Sequence, residues 1–327
     1  MREVIEALHP PSSLKSVHLM GYPGEHLPNW FRPGKLPTFF TSRYYGYDGS
    51  VEHRIQNGVP IPTVIFDNNN GKIGSTFSSL TEIRIEGCEK LLTLEEFLQT
   101  SFLPALKKIV VENCQRLSLG SAVVSCLEEL MVCDCPNIIS GSLYAPCLKK
   151  LTLKDSGKLP SKLHLEMWSL PALQKFMITK CDSLTFIGES TIFRHRGSSS
   201  SGTFPSLTEL EISNCRTLIS CRMNISLQLR ELLLAVAKSY DGCTVKCFLK
   251  NLTLLQSLEV VNCGRIVSAP GNLWCNSLVS LRELRIWNCP DLVSIGGPNA
   301  IAKIDKVHIM GCEKLMGIQQ PLRRGGL

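Results

Sequence analysis

Fifteen cysteines and seven histidines stand in this chain of 327 residues, and they are the side chains most able to do chemistry. Thiolates and imidazoles ligate metals, attack carbonyls and exchange disulfides, but each reaction needs its own spacing. The closest thiol pairs are Cys133-x-Cys135 and Cys243-x-x-x-Cys247, and neither has a second Cys or His pair at zinc-finger spacing. The histidines, His9, His18, His26, His53, His164, His195 and His308, are scattered. No nucleophile elbow and no catalytic-cysteine signature accompanies them. Gly71-Lys72-Ile73-Gly74-Ser75 lacks the spacing with which backbone amides cradle phosphate. The expectation is a chain with no catalytic residues, no metal, no other cofactor and no nucleotide site.

The cysteines have a different regularity. Eight of them keep one place in a repeat that reads L-x-x-L-x-L-x-x-C-x-x-L. Its ninth position is Cys88, Cys114, Cys135, Cys181, Cys215, Cys263, Cys289 and Cys312 in turn. The first unit with this cysteine runs Leu80, Ile83, Ile85, Cys88, Leu91, and the last runs Ile304, Val307, Ile309, Cys312, Leu315. This is the leucine-rich-repeat signature, with Cys in the slot that Asn fills elsewhere. Degenerate copies begin at Leu14, with Tyr22 in the ladder slot, at Leu148 with Ser156, and at Leu229 with Ala237. A faint copy, Ile61-Val64-Phe66, has Asn69.

These units must be placed by short strands. Residues two apart in an extended segment share a face, so positions 4 and 6 point the same way. One unit cannot bury that face alone, so neighbours stack. The expected fold is an α/β repeat: a leucine-rich-repeat solenoid, or horseshoe, with a parallel concave β-sheet and irregular convex segments. Residues 1–327 read as a single solenoid of about twelve units. Residues 31–75 read as an irregular or degenerate repeat, and 188–203 as an extruded Ser/Gly-rich loop. The spacing of units varies, 21 residues from Leu106 to Leu127 and 34 from Leu173 to Leu207, so the return segment carries the variation. Position 8 is Asn113, Asn214, Asn262, Asn288, Gly87 or Gly311, residues that tolerate a left-handed turn. With almost nothing before Leu14, the amino end is expected to be the uncapped one.

The strand's outward positions give the candidate interface. Position 3 begins Glu82, Lys108, Glu129, Lys150, alternating in sign. Position 7 ends Ala235, Val261, Trp287, Met310, all apolar and in consecutive units. Position 5 beside them reads Leu233, Glu259, Arg285, His308. An apolar stripe with a charged rim suits a protein contact.

Charge and hydropathy exclude other classes. The net charge of +7 is modest, and Arg194-His195-Arg196 and Arg323-Arg324 read as solvated loop and tail, so no nucleic-acid partner is expected. No stretch is long and apolar enough to span a bilayer. The opening MREVIEALHPPSS has charges and prolines where a signal peptide needs an apolar run. Recurrent single cysteines do not form the dense framework of a secreted domain. The expected location is cytoplasmic.

The segment EVIEALHPPSSLKSVHLMGYPGEHLPNWF, residues 3–31, resembles the opening of the later repeats in plant intracellular nucleotide-binding (NB-ARC) leucine-rich-repeat disease-resistance receptors. Leu8, Pro10, Leu14, Val17, Leu19, Tyr22, Gly24, Pro28 and Trp30 carry the match. Units such as SLTELEISNCRTL, residues 206–218, are similar to that family's cysteine-type repeats. The resemblance implies a recognition module with a role in defence. Its partner would be a protein: a pathogen effector, a host target or a nucleotide-binding receptor domain. No nucleotide-binding domain is present in this sequence, so a truncated form, or a non-signalling receptor fragment, is implied. An F-box-type substrate adaptor is the other reading; it needs an F-box ahead of the repeats, and the residues before Leu14 are too few for one.

Overall fold

The structure, a computed structural model, describes residues 10–11, 13–28, 55–56, 59–60, 77–95, 97–98, 103–138, 141–155, 159–164, 168–188, 204–215, 220–222, 228–235, 249, 252–263, 278–296 and 301–316. Its strands, numbered along the chain, are β1 (Ser16–Met20), β2 (Ile55–Gln56), β3 (Val59–Pro60), β4 (Glu82–Glu86), β5 (Lys108–Glu112), β6 (Ala122–Val123), β7 (Glu129–Cys133), β8 (Leu143–Tyr144), β9 (Lys150–Lys154) and β10 (Lys162–His164). There follow β11 (Trp168–Ser169), β12 (Lys175–Thr179), β13 (Phe186–Gly188), β14 (Glu209–Ser213), β15 (Ser220–Arg222), β16 (Glu231–Ala235), β17 (Ser257–Val261), β18 (Glu283–Trp287) and β19 (Lys306–Met310).

Each five-residue strand is positions 3 to 7 of one repeat, and eleven of them form one sheet in the order β1-β4-β5-β7-β9-β12-β14-β16-β17-β18-β19. Every pairing in it is parallel and without slip, so like positions stand side by side: Ile83 by Ile109, Leu130 by Leu151, Leu258 by Leu284. The period of the sequence produces this register. A slip of one residue would turn every inward Leu, Ile or Val to the outer face. From β4 to β18 positions 4 and 6 are buried throughout, for example Phe176 with Ile178 and Leu284 with Ile286. Each such side chain contributes ~1.5–3 kcal/mol on burial. The protein is a leucine-rich-repeat solenoid, with helix among the described residues confined to Leu249.

Two hydrogen-bond ladders frame the sheet. At one corner the N–H of position 8 donates to the position-7 carbonyl of the next unit: Gly21 to Glu86 (2.8 Å), Gly87 to Glu112 (2.9 Å), Asn214 to Ala235 (2.8 Å), Asn288 to Met310 (2.8 Å). Position 8 is left-handed, as expected, at Gly21, Gly87, Asn113, Asn214, Asn262, Asn288 and Gly311; Asp134 and Lys180 share the conformation with φ of 52° and 59°. At the other corner the bonds run backwards. The N–H of position 2 donates to the position-2 carbonyl of the preceding unit, as Lys107 does to Thr81 (2.9 Å) and Gln256 to Arg230 (2.8 Å).

The cysteine ladder lines the inner side of the first corner. Cys88, Cys114, Cys135, Cys181, Cys215, Cys263 and Cys289 are fully buried free thiols, and Cys312 is half-buried. Each thiol turns back on its own strand, Cys114 Sγ donating to the Glu112 carbonyl at 3.3 Å and Cys215 Sγ to that of Ser213 at 3.4 Å. Sγ also lies 3.7–3.9 Å from the position-6 carbonyl of the preceding strand, as Cys88 does from Leu19 and Cys181 from Leu153. The Cys114 N–H in turn donates to Cys135 Sγ at 3.3 Å. A thiol thus makes Asn-like bonds weakly while adding apolar volume. Donating to Cys135 and losing solvent push the Cys114 thiol up to about 11. Hydrogen bonds to neighbouring thiols push Cys88, Cys181 and Cys289 higher still.

The return segments carry short strands of their own: β6, β8 and β11 form one parallel sheet, and β10, β13 and β15 form another. Two or three residues are too few to show a period, so the sequence does not mark them. β1 pairs directly with β4, and the main sheet has eleven strands among the described residues. The faint copy at Ile61-Val64-Phe66 lies outside the described residues, as do all of the 188–203 loop except Gly188 and all of 31–75 except the antiparallel pair β2–β3. The expectation of an uncapped amino end needs correction, because the inward side chains of β1 are better covered than those of β19. In β1, Val17 and Leu19 are 8% and 6% exposed, and Tyr22 fills the ladder slot at 1%. Gly24 lies so close that a Cβ there would overlap the Tyr22 ring. In β19 the equivalent Val307 and Ile309 are only partly buried, as are Ile304 and Leu315.

Candidate protein interface

Positions 3, 5 and 7 of the eleven strands form three lanes across the concave face, because register is continuous through all of them. The sign alternation expected in the first lane is realised as ion pairs between neighbours. Lys108 Nζ lies 3.1 Å from Glu82, Lys150 Nζ 2.8 Å from Glu129, and Lys175 Nζ 2.7 Å from Glu209. In the other lanes Arg84 reaches Glu112 at 3.0 Å. Each pair is about 40% exposed on at least one side, and exposed pairs of this kind contribute ~0.2–1 kcal/mol.

The candidate stripe is assembled as its spacing requires. Ala235 is opposite Val261, Val261 opposite Trp287, and Trp287 opposite Met310. Leu233, Glu259, Arg285 and His308 run parallel to them in the neighbouring lane. Met310 is 63% exposed; Ala235, Val261 and Trp287 are partly exposed. Trp287 is the one whose setting differs from a simple surface side chain. Its indole Nε1 is buried and has no hydrogen-bond partner among the described residues. The rim is tied together by Arg285, which lies 3.5 Å from Glu259 and 2.7 Å from Glu283.

A second apolar run lies in the middle of the face, and the spacing argument passed over it. Val110, Met131, Thr152 and Met177 are consecutive in lane 5 from β5 to β12. Val110 and Thr152 are buried although they point to the outer side of the sheet, and Thr152 Oγ1 lies 3.9 Å from Met177 Sδ. Cys133 in lane 7 is covered as well, and burial raises its thiol. Sequence periodicity alone assigns these positions to solvent, yet the fold covers them. Exposed methionines stand at both ends of lane 7, Met20 at 62% in β1 and Met310 at 63% in β19, and the run of four consecutive apolar residues in that lane is the one across β16–β19.

Among the described residues no group of three or more His, Cys, Asp or Glu side chains is placed to hold a metal ion, and no helix is long and apolar enough to cross a membrane.

No family model and no curated protein matches the chain. Among solved structures it is similar to TLR13 in a complex with ssRNA13, at 16% identity over 72% of this chain and 36% of that one, with a TM-score of 0.39. The chain spans about a third of that protein's length. A likeness at that level leaves the fold to rest on the repeat and the sheet themselves.

Proposed function

We propose that this solenoid is a protein-recognition module of the plant disease-resistance type, working in the cytoplasm in defence signalling, and that it holds a protein on the carboxy-terminal part of its concave face. The observation that carries the reading is the stripe Ala235–Val261–Trp287–Met310, continuous across four hydrogen-bonded strands and left partly open. Aromatic and aliphatic anchors flanked by charge are the usual centre of a protein contact. The carboxylates beside the stripe oppose a polyanion, which favours a protein over a nucleic acid. The resemblance of residues 3–31 to resistance receptors supports the choice among protein partners: a pathogen effector, a host target or a nucleotide-binding receptor domain.

Two measurements test this. The coding sequence upstream of the repeats should encode a nucleotide-binding domain; an F-box there would support the substrate-adaptor reading instead. Trp287→Glu should abolish capture of that nucleotide-binding domain or of an effector while the circular dichroism spectrum is kept. Undiminished capture would remove the stripe as the site. Met310→Glu serves where Trp287→Glu unfolds, because Met310 is largely solvated already.

A further inference from the structure

The concave face from β14 to β18 carries Glu209, Glu231 and Glu283 in lane 3 and Glu211 and Glu259 in lane 5. Glu209 and Glu231 are directly opposite each other on paired strands. Like charges so placed repel, and a sheet gains by alternating them, as this one does at Glu82–Lys108 and Glu129–Lys150. Cations on the same face answer only part of this charge. Lys175 pairs with Glu209 at 2.7 Å, and Arg285 serves both Glu259 and Glu283. Among the described residues Glu211 accepts from the Ser213 hydroxyl, at 3.0 Å, and no cation is in contact with Glu231. The field of Glu211 and Glu231 adds to that of Glu209 in raising Lys175, so one ammonium answers three carboxylates. Lane 7 of the next strands is the apolar stripe; its first member, Ala235, lies one lane over from the partner of Glu211 and at the opposite end of β16 from Glu231.

We propose that the segment seated on this face is cationic: a protein segment with Lys or Arg side chains that meet Glu211 and Glu231, next to an apolar side chain that packs on Val261, Trp287 and Met310. This inference rests on the docking reading above and adds the charge of the partner. The free face keeps repelling carboxylates in register because a bound cation relieves them, and the apolar stripe fixes where along the sheet that cation sits. Desolvation by the anchor strengthens each pair, since charges screened by water on the open face interact at lower dielectric once covered.

The test uses the full chain and three labelled synthetic peptides of equal length: one with alternating Arg and Leu, one with Glu in place of Arg, and one with Arg and Ser only. The Arg–Leu peptide should bind, more weakly as salt rises. Its affinity should fall about tenfold or more, on the order of 1.4 kcal/mol, in E211Q/E231Q and in M310S. E82Q/E86Q, the same change on the amino-terminal strands, should leave it within about twofold. Equal binding of the Arg–Leu and Glu–Leu peptides, both lost in M310S, would overturn the cationic partner and leave the docking site standing. Binding of the Arg–Leu peptide that is indifferent to both E211Q/E231Q and M310S would overturn both. Equal binding of the Arg–Ser peptide would show a charged surface without an anchor and overturn the proposal in its stated form. Failure of all three peptides to bind overturns it too.

Discussion

The two halves of the concave face share one backbone and differ in what stands on it. From β4 to β12 most carboxylates are answered by a neighbouring cation, Arg84 between Glu86 and Glu112 included, and in the apolar run Val110 and Thr152 are buried while Met131 and Met177 are partly exposed. From β14 to β19 Glu209 and Glu231 stand opposite each other with no cation between them but Lys175 at one side, and lane 7 is apolar and partly open. The core beneath does not change: Leu130 and Leu284 occupy the same place in their units and are equally buried. The fold is thus indifferent to a difference that the outer face displays plainly. What a repeat needs for stacking is confined to the inward positions, and the outward ones are free to be set by a partner.

The largest expected effect tests the sameness of the core. Leu130→Ala and Leu284→Ala should each cost ~2–5 kcal/mol, read as loss of urea resistance. A much smaller cost at Leu284 would mean that the carboxy-terminal half is loosely packed and that its open face is a symptom of that.

Next is the thiol ladder, which runs through both halves. Cys126 and Cys147 are exposed and should react at once with a thiol reagent, whereas the seven buried ladder cysteines should react only in denaturant. The accompanying pH effect has a definite sign. An unfolded thiol ionises near its ordinary value, 9.0, while Cys114 holds its proton to about 11 in the fold. Its contribution is complete below pH 9 and is lost as pH rises from there to 11, so stability should decline over that window. A rise in stability over the same window would contradict the buried, proton-donating ladder.

Smaller effects sharpen the contrast of the faces directly. Lys108→Glu should destabilise by ~0.2–1 kcal/mol, because it places a carboxylate between Glu82 and Glu129. Glu231→Lys should stabilise by a similar ~0.2–1 kcal/mol, because it answers Glu209. Thermal unfolding of the two variants side by side would show opposite shifts; equal signs would abolish the comparison. If Glu231→Lys stabilises and also loses the Arg–Leu peptide, the carboxylate is kept for binding at the expense of the free protein's stability.

The least effect is expected at a corner. Lys180 holds φ 59° without the help of Gly or Asn, so Lys180→Gly should stabilise by ~1 kcal/mol or less, read as a slight rise in melting temperature. A loss of stability there would mean that the lysine side chain has a structural part.

Much of this was legible from spacing. The inward Leu, Ile and Val, the buried cysteines and the left-handed position 8 follow from the period of the repeat, because stacking makes the same demand of every unit. Asp155 shows where that demand admits an exception: it stands at position 8, is not left-handed among its peers, and accepts from the Leu159 N–H with its buried carboxylate. The strands of the return segments were not legible, since two residues such as Ala122–Val123 have no period. Nor was the closure of the amino end. There Tyr22, which reads as a defect in the ladder, is a large side chain buried in the corner. The stripe's residues were legible by position, but the half-burial of Trp287 was not, because the side chains that cover its indole nitrogen come from the fold in three dimensions.

The two corner ladders run in opposite senses, and this has an electrical consequence. At position 8 the amide dipoles point towards the carboxy end, and at position 2 they point back. Unit by unit they oppose each other, so the stack does not accumulate the end-to-end field that aligned peptides build in an α-helix. Units can be added without charging the tips. A partner approaching this molecule is steered by side chains on the flank, and the local polarity it meets is the one drawn by the glutamates of β14 to β18.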